Sequence, residues 1–436
     1  VSATASVDVA GSPAGQRRIS NGRIVIAAGG AVALIGVVLY LVAIATHPRH
    51  QTLLGFDLNV YLTGGWLARH NPAQLYLWHQ ANHPGIQFTY TPFAALVFAA
   101  AGVVPWQLLM DLMTLASVAA LGVTGWIAFR ELGWDRTRRA AATLALFGVT
   151  LWSEPVQRAL QLGQVEILFM AIIVWDLSQP DRRRWKGAAT GIAAGIKLVP
   201  LLFIVYLVLT RRFRQAATAA AAFAATIVIG WIFLPGPSRS WWIDGLFVQA
   251  GRTGFVGDQQ NQSLRGTITR LAGSVASGQL PWLIVAVVVT VAGLAAAVVL
   301  YRSGRSLAGL MACALTALLI SPISWDHHWV WIVGGLAVTI DAAVRSSGRL
   351  RVVWLALTVL IVAAFEAWPR PHALLGGGLI GYAPSTSYGY GDNPAFVEYH
   401  WYGLELIAGN LYVLAGLGLL AVTVIAAYTV RYCRPS

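Results

Sequence analysis

Asp57 lies in Gly55-Phe56-Asp57-Leu58-Asn59-Val60-Tyr61, shortly after the first long apolar run, and no other carboxylate occurs between Asp8 and Asp111. A lone acid partly desolvated at a membrane interface has the properties of a general base toward a sugar hydroxyl. Asn59 and Tyr61 stand beside it as groups that could position the same substrate. The alternative is a helix cap, since Asp is a favoured N-cap and an amphipathic helix over Leu58 to Ala68 would follow.

Four other groups could carry chemistry. Ser321-Pro322-Ile323-Ser324-Trp325-Asp326-His327-His328-Trp329 is the densest polar stretch. Neighbouring histidines on a helix point different ways and make a poor metal pair. One imidazole turned toward a phosphate or the catalytic acid is the functional reading, and interfacial anchoring of the flanking tryptophans is the other. Lys197 sits inside the apolar run Gly191 to Pro200, where an ammonium can hold an anion as a point charge; snorkelling to an interface is its alternative. Arg158, Gln161, Gln164 and Glu166 form a polar group suited to phosphate or sugar, or to a capped loop. Gln260, Asn261 and Gln262, in an amide-rich turn, suit sugar hydroxyls because each amide both donates and accepts; plain surface polarity competes with that reading.

The elements around these residues must be transmembrane helices. The 436 residues are 57% hydrophobic and 11% charged, and mean hydropathy is +0.65. Apolar runs near 24–46, 107–129, 140–153, 164–178, 215–234, 281–301, 306–320, 329–344, 352–368 and 404–430 predict an all-α polytopic membrane protein. Residues 92–104 read as a re-entrant or interfacial piece. Residues 187–210, interrupted at Gly195, Lys197 and Pro200, read as two half-helices, so about ten to twelve helices would cross. The net charge of +13 comes from short arginine clusters between the runs. That is the positive-inside pattern of a multi-pass membrane protein, not a nucleic-acid surface. Both termini are then expected in the cytoplasm, with 1–23 a disordered tail, 24–430 one catalytic domain and 431–436 a second tail. The loops 47–106, 154–163, 235–280, 321–328 and 369–403 face outward. Cys313 and Cys433 are too few and too far apart to predict a disulfide framework or metal site. No nucleotide-binding loop, zinc motif or nucleophile elbow occurs, so an enzyme here would need an activated substrate carried in the lipid.

Asp57, Phe88-Thr89-Tyr90-Thr91-Pro92-Phe93, Gln161-Leu162-Gly163-Gln164, Gly195-Ile196-Lys197-Leu198-Val199-Pro200, Asn261-Gln262-Ser263 and Ser321 to His328, in this order, resemble glycosyltransferase family 87, from about residue 24 to 430. The resemblance implies a GT-C fold and mannosyl transfer from polyprenyl phosphate mannose to a phosphatidylinositol mannoside. The transfer would invert a β-linked donor to an α-(1→2) product at the periplasmic face. It implies Asp57 as base with His327 catalytic. Lys197, Arg158 and His328 would hold the donor phosphate. Asn59, Tyr61, Gln164, Gln260, Asn261, Gln262, Trp325 and Asp326 are expected to contact acceptor or sugar. A metal-independent monomer without cofactor is expected, with membrane lipids as its partners. Competing readings are transfer to another envelope glycolipid or polysaccharide, a secondary transporter with broken helices, and a non-catalytic partner of a cell-wall complex.

Overall fold

The computed structural model describes residues 13–46, 54–80, 83–366, 393 and 395–432. The glycine-rich part of the expected loop 369–403, up to 392, and the tails 1–12 and 433–436 lie outside the described residues. Helix α1 spans Pro13–Thr46, so regular structure begins within the stretch expected as a tail. Helix α2 (Phe56–His70) is followed by a two-stranded antiparallel hairpin, β1 (His79–Gln80) and β2 (His83–Gln87). Next come α3 (Pro92–Ala101), α4 (Trp106–Glu131), α5 (Arg136–Thr150), α6 (Glu154–Leu162), α7 (Glu166–Leu177), α8 (Ala188–Ile196), α9 (Leu201–Leu209) and α10 (Phe213–Phe233). The remaining helices are α11 (Pro235–Trp242), α12 (Leu264–Ala272), α13 (Val275–Arg302), α14 (Ser306–Ile320), α15 (Ile332–Arg345), α16 (Gly348–Glu366), α17 (Gly403–Ala408) and α18 (Leu411–Tyr432).

Seven helices among the described residues are long and apolar enough to cross a membrane, or eight if the bent pair α6–α7 is one span. Three expected spans fall short. The runs 140–153, 164–178 and 306–320 form helices of 15, 12 and 15 residues, roughly 18 to 22 Å at 1.5 Å per residue against about 30 Å of hydrocarbon. Instead of crossing straight, the chain turns by 113° between α6 and α7. Residues 187–210 form two nine-residue helices, α8 and α9, parted at Lys197–Pro200. Pro200 has no N–H for a continuous helix to use.

One end of the bundle is bound by its arginines. Arg130 donates to Ser178 O, Arg212 to Leu177 O, Arg302 to Leu209 O and Arg345 to Leu132 O. Carbonyls at helix C-termini lack intrahelical partners, and cations there also oppose the helix dipole favourably. The clusters read from sequence as topology signals are therefore also C-terminal caps. Their loops gather at one end, and the polar motifs gather elsewhere.

Candidate functional site

Four chain breaks build the site. The first is the start of α2. Its N-cap is Gly55, at φ 55°, a left-handed conformation natural to glycine. Gly55 N donates to Gln161 O at 2.9 Å, and a Cβ on Gly55 would lie 2.5 Å from Trp106. Asp57 is the second helical residue and does not cap α2, which removes the capping alternative. The second break is the α6–α7 bend, carrying Gln164 and Glu166. The third is the α8–α9 break. Buried Asp176 accepts from Gly187 N, Thr190 N and Thr190 Oγ1 at 2.8–2.9 Å, fixing the start of α8. At its other end Thr91 Oγ1 donates to Gly195 O. Glycine is required at 195, where a Cβ would stand 2.2 Å from Thr226 Oγ1. Lys197 leaves this end. The fourth is the 3-10 turn Asp326–Trp331, which carries both histidines.

These breaks meet. Gln164 Nε2 donates to Asp57 Oδ2 at 2.7 Å, and Tyr61 OH donates to Gln164 Oε1 at 2.5 Å. Tyr61 and Tyr90 hydroxyls are 2.9 Å apart. Asp57 Oδ1 has no hydrogen-bond partner among the described residues. Burial raises the Asp57 pKa above the usual carboxylate value; the charges of His327 and Arg158 and the Gln164 bond oppose that shift, and Glu166 adds to it. Beside this acid, Lys197 Nζ is paired with Glu166 Oε1. It lies 2.9 Å from His328 Nε2 and over the Tyr90 ring at 5.7 Å. His328 Nε2 is 3.4 Å from Glu166 Oε1. Arg158 Nη1 donates to Gln161 Oε1 at 2.7 Å. His327 packs edge-on against His328 at 4.7 Å. Its Nε2, Glu166 Oε2 and Arg158 Nε are buried without partners among the described residues. Such atoms cost about 1–3 kcal/mol each unless a ligand satisfies them.

Several expected substrate contacts fall elsewhere. Asn59 is exposed, two residues from Asp57 and thus on another face of α2. Tyr61 is buried and holds Gln164. The Asn261 amide donates to Val256 O and Pro322 O and accepts from Ser324 N. Gln262 donates to Gln259 O and Gly409 O and accepts from Tyr412 N. Both amides' donors are used inside the protein, where Asn261 ties this turn to 322–325 and Gln262 ties it to 409–412. The Gln260 side chain is exposed, and its carbonyl accepts from Asp326 N. Asp326 is fully buried, with Oδ1 accepting from His327 N at 2.6 Å and lying 3.2 Å from His327 Nδ1; it orients that ring. Trp325 is half-buried in the same seam.

Residues 88–322 match the family model described as glycosyltransferase family 87. The chain is 34% identical over 324 residues, 72% of this chain and 74% of the relative, to a polyprenol-phosphate-mannose-dependent alpha-(1-2)-phosphatidylinositol pentamannoside mannosyltransferase of Mycobacterium tuberculosis (strain CDC 1551 / Oshkosh). The chain belongs to glycosyltransferase family 87. A protein of the same description from Mycolicibacterium smegmatis is 32% identical over 72% of this chain and 77% of the relative. A phosphatidylinositol mannoside mannosyltransferase of M. tuberculosis (strain H37Rv) is 28% identical over 65% of this chain and 69% of the relative. No solved structure matches the chain significantly. Family 87 membership makes this all-α membrane protein a glycosyltransferase and leaves the transporter and scaffold readings unsupported. One residue of this cluster was not singled out from sequence: Tyr90, although it sits in the quoted Phe-Thr-Tyr-Thr-Pro motif. Glu166, read there with Arg158, Gln161 and Gln164 as a polar group, opens helix α7 and is paired with Lys197.

Proposed function

We propose that the chain transfers mannose from polyprenyl phosphate mannose to a phosphatidylinositol mannoside on the outer face of the membrane, forming an α-(1→2) bond with inversion. The observation that carries this reading is the juxtaposition of Asp57, a carboxylate with an uncommitted oxygen, with the cations Lys197 and Arg158 and the imidazoles of His327 and His328. In an inverting displacement the acceptor hydroxyl attacks C1 of mannose as Asp57 takes its proton, and the C1–O bond to phosphate breaks with its electron pair on the phosphate oxygen. Lys197, Arg158, His327 and His328 face that developing charge, the preorganised arrangement that stabilises a leaving anion. Gln164, held by Tyr61, fixes the base.

The reaction is proposed to need no metal. Glu166, His327 and His328 offer ligand atoms within 4.8 Å of one another, but the Lys197 ammonium is paired with that carboxylate and repels a second cation there. Purified protein is assayed for label transfer from polyprenyl phosphate mannose to tetra- and pentamannosylated phosphatidylinositol, with and without chelator. Transfer that persists in chelator supports the reading. Transfer restored only by a divalent ion would overturn metal independence, and no transfer to either acceptor would turn attention to other envelope glycans.

A further inference from the structure

Resting on the transfer reaction above, we infer that Glu166 drives release of the spent lipid carrier by competing with its phosphate for Lys197. The donor is a phosphodiester with one negative charge. Transfer leaves a phosphomonoester carrying about −1.5 to −2 at neutral pH. A pocket built only of cations would hold this product more tightly than the donor and stall. Here Lys197 has an internal anion. Glu166 Oε1 is paired with Lys197 Nζ and 3.4 Å from His328 Nε2, while Glu166 Oε2 is buried with no partner among the described residues. The carboxylate is therefore held on one side only, so it can yield Lys197 to a phosphate and reclaim it afterwards. It also repels the second product charge more than the first, which favours donor over product.

Glu166 is a positioning residue in this scheme and touches no reacting atom. The test compares two constants in one assay: KM for the lipid-phosphate mannose donor and Ki for the corresponding polyprenyl phosphate. In Glu166→Gln the ratio Ki/KM should fall by about tenfold or more, since one close charge no longer opposes the product. Steady-state turnover should slow more than single-turnover transfer. Glu166→Asp, which keeps the charge, should return the ratio toward wild type. In a Lys197→Met background, Glu166→Gln should lower the ratio much less, because the competition for Lys197 is gone and only direct repulsion of the product remains. A merely structural role would lower kcat and stability together with Ki/KM constant, and that result overturns the inference. Wild-type protein unable to use the donor at all would instead sink the transfer reading, which keeps the two failures distinct.

Discussion

At the scale of single residues, the site depends on Asp57 being both desolvated and held. Asp57→Asn keeps the shape and the Gln164 contact but removes the base. Transfer should fall by roughly 10²–10⁴ with circular dichroism unchanged, and retained activity would remove Asp57 from the mechanism. The raised pKa has a sign that can be checked. As the proposed base, Asp57 would work deprotonated, so activity should be lost as pH falls through its pKa. The acid limb of kcat/KM should therefore lie above the unperturbed carboxylate value of about 3.9. The Gln164 bond lowers that pKa, so Gln164→Leu should move the limb to still higher pH. A limb that stays put would show that another group sets it.

Elements place these residues by being interrupted. α8 ends at Lys197 because Pro200 breaks it, and it lies against α10 because residue 195 has no side chain. Gly195→Ala should cost about 1–3 kcal/mol through overpacking and displace Lys197, raising the donor KM; unchanged melting and KM would contradict this. The long apolar runs and the break at Lys197–Pro200 were legible in sequence, since length, hydropathy and proline act locally. The α6–α7 bend was not: residues 154–163 read as an outer loop and 164–178 as a full span, whereas both are short helices that meet at Gly163–Val165. The amide turn at 260–262 looked like a sugar site because polarity alone cannot say which partner satisfies it. Its partners, at 322–325 and 409–412, lie far along the chain. Buried Arg270 makes the dependence plain. It donates to the carbonyls of Gly257, Asp258 and Asn261 and to Asn410 Oδ1, and burial pulls its pKa down to about 10. Arg270→Leu should destabilise the protein by about 3 kcal/mol or more, as buried polar partners are left unpaired. Thermal unfolding in detergent measures this.

For the whole molecule, the arginine-capped end and the site end differ in chemistry, and the positive-inside rule predicts that the first faces the cytoplasm. In a Cys433→Ser background, a cysteine at exposed Val248 should react with an impermeant maleimide applied to intact cells, and one at Arg183 should not. Labelling of the second alone would invert the assignment.

Tyr412, near the start of α18, donates from its hydroxyl to Glu154 Oε2 at 2.7 Å, at the head of the bend that carries Gln164 and Glu166. Its backbone N–H donates to Gln262 Oε1 in the seam behind the histidines. Asp57, the proposed base, is by contrast on the second helix. A chain emerging from the ribosome thus makes its acid early and the clasp that squares its surroundings more than three hundred residues later. Until α18 has inserted and docked, the nascent protein is an incomplete catalyst beside lipids it would otherwise consume, so competence arrives only with assembly.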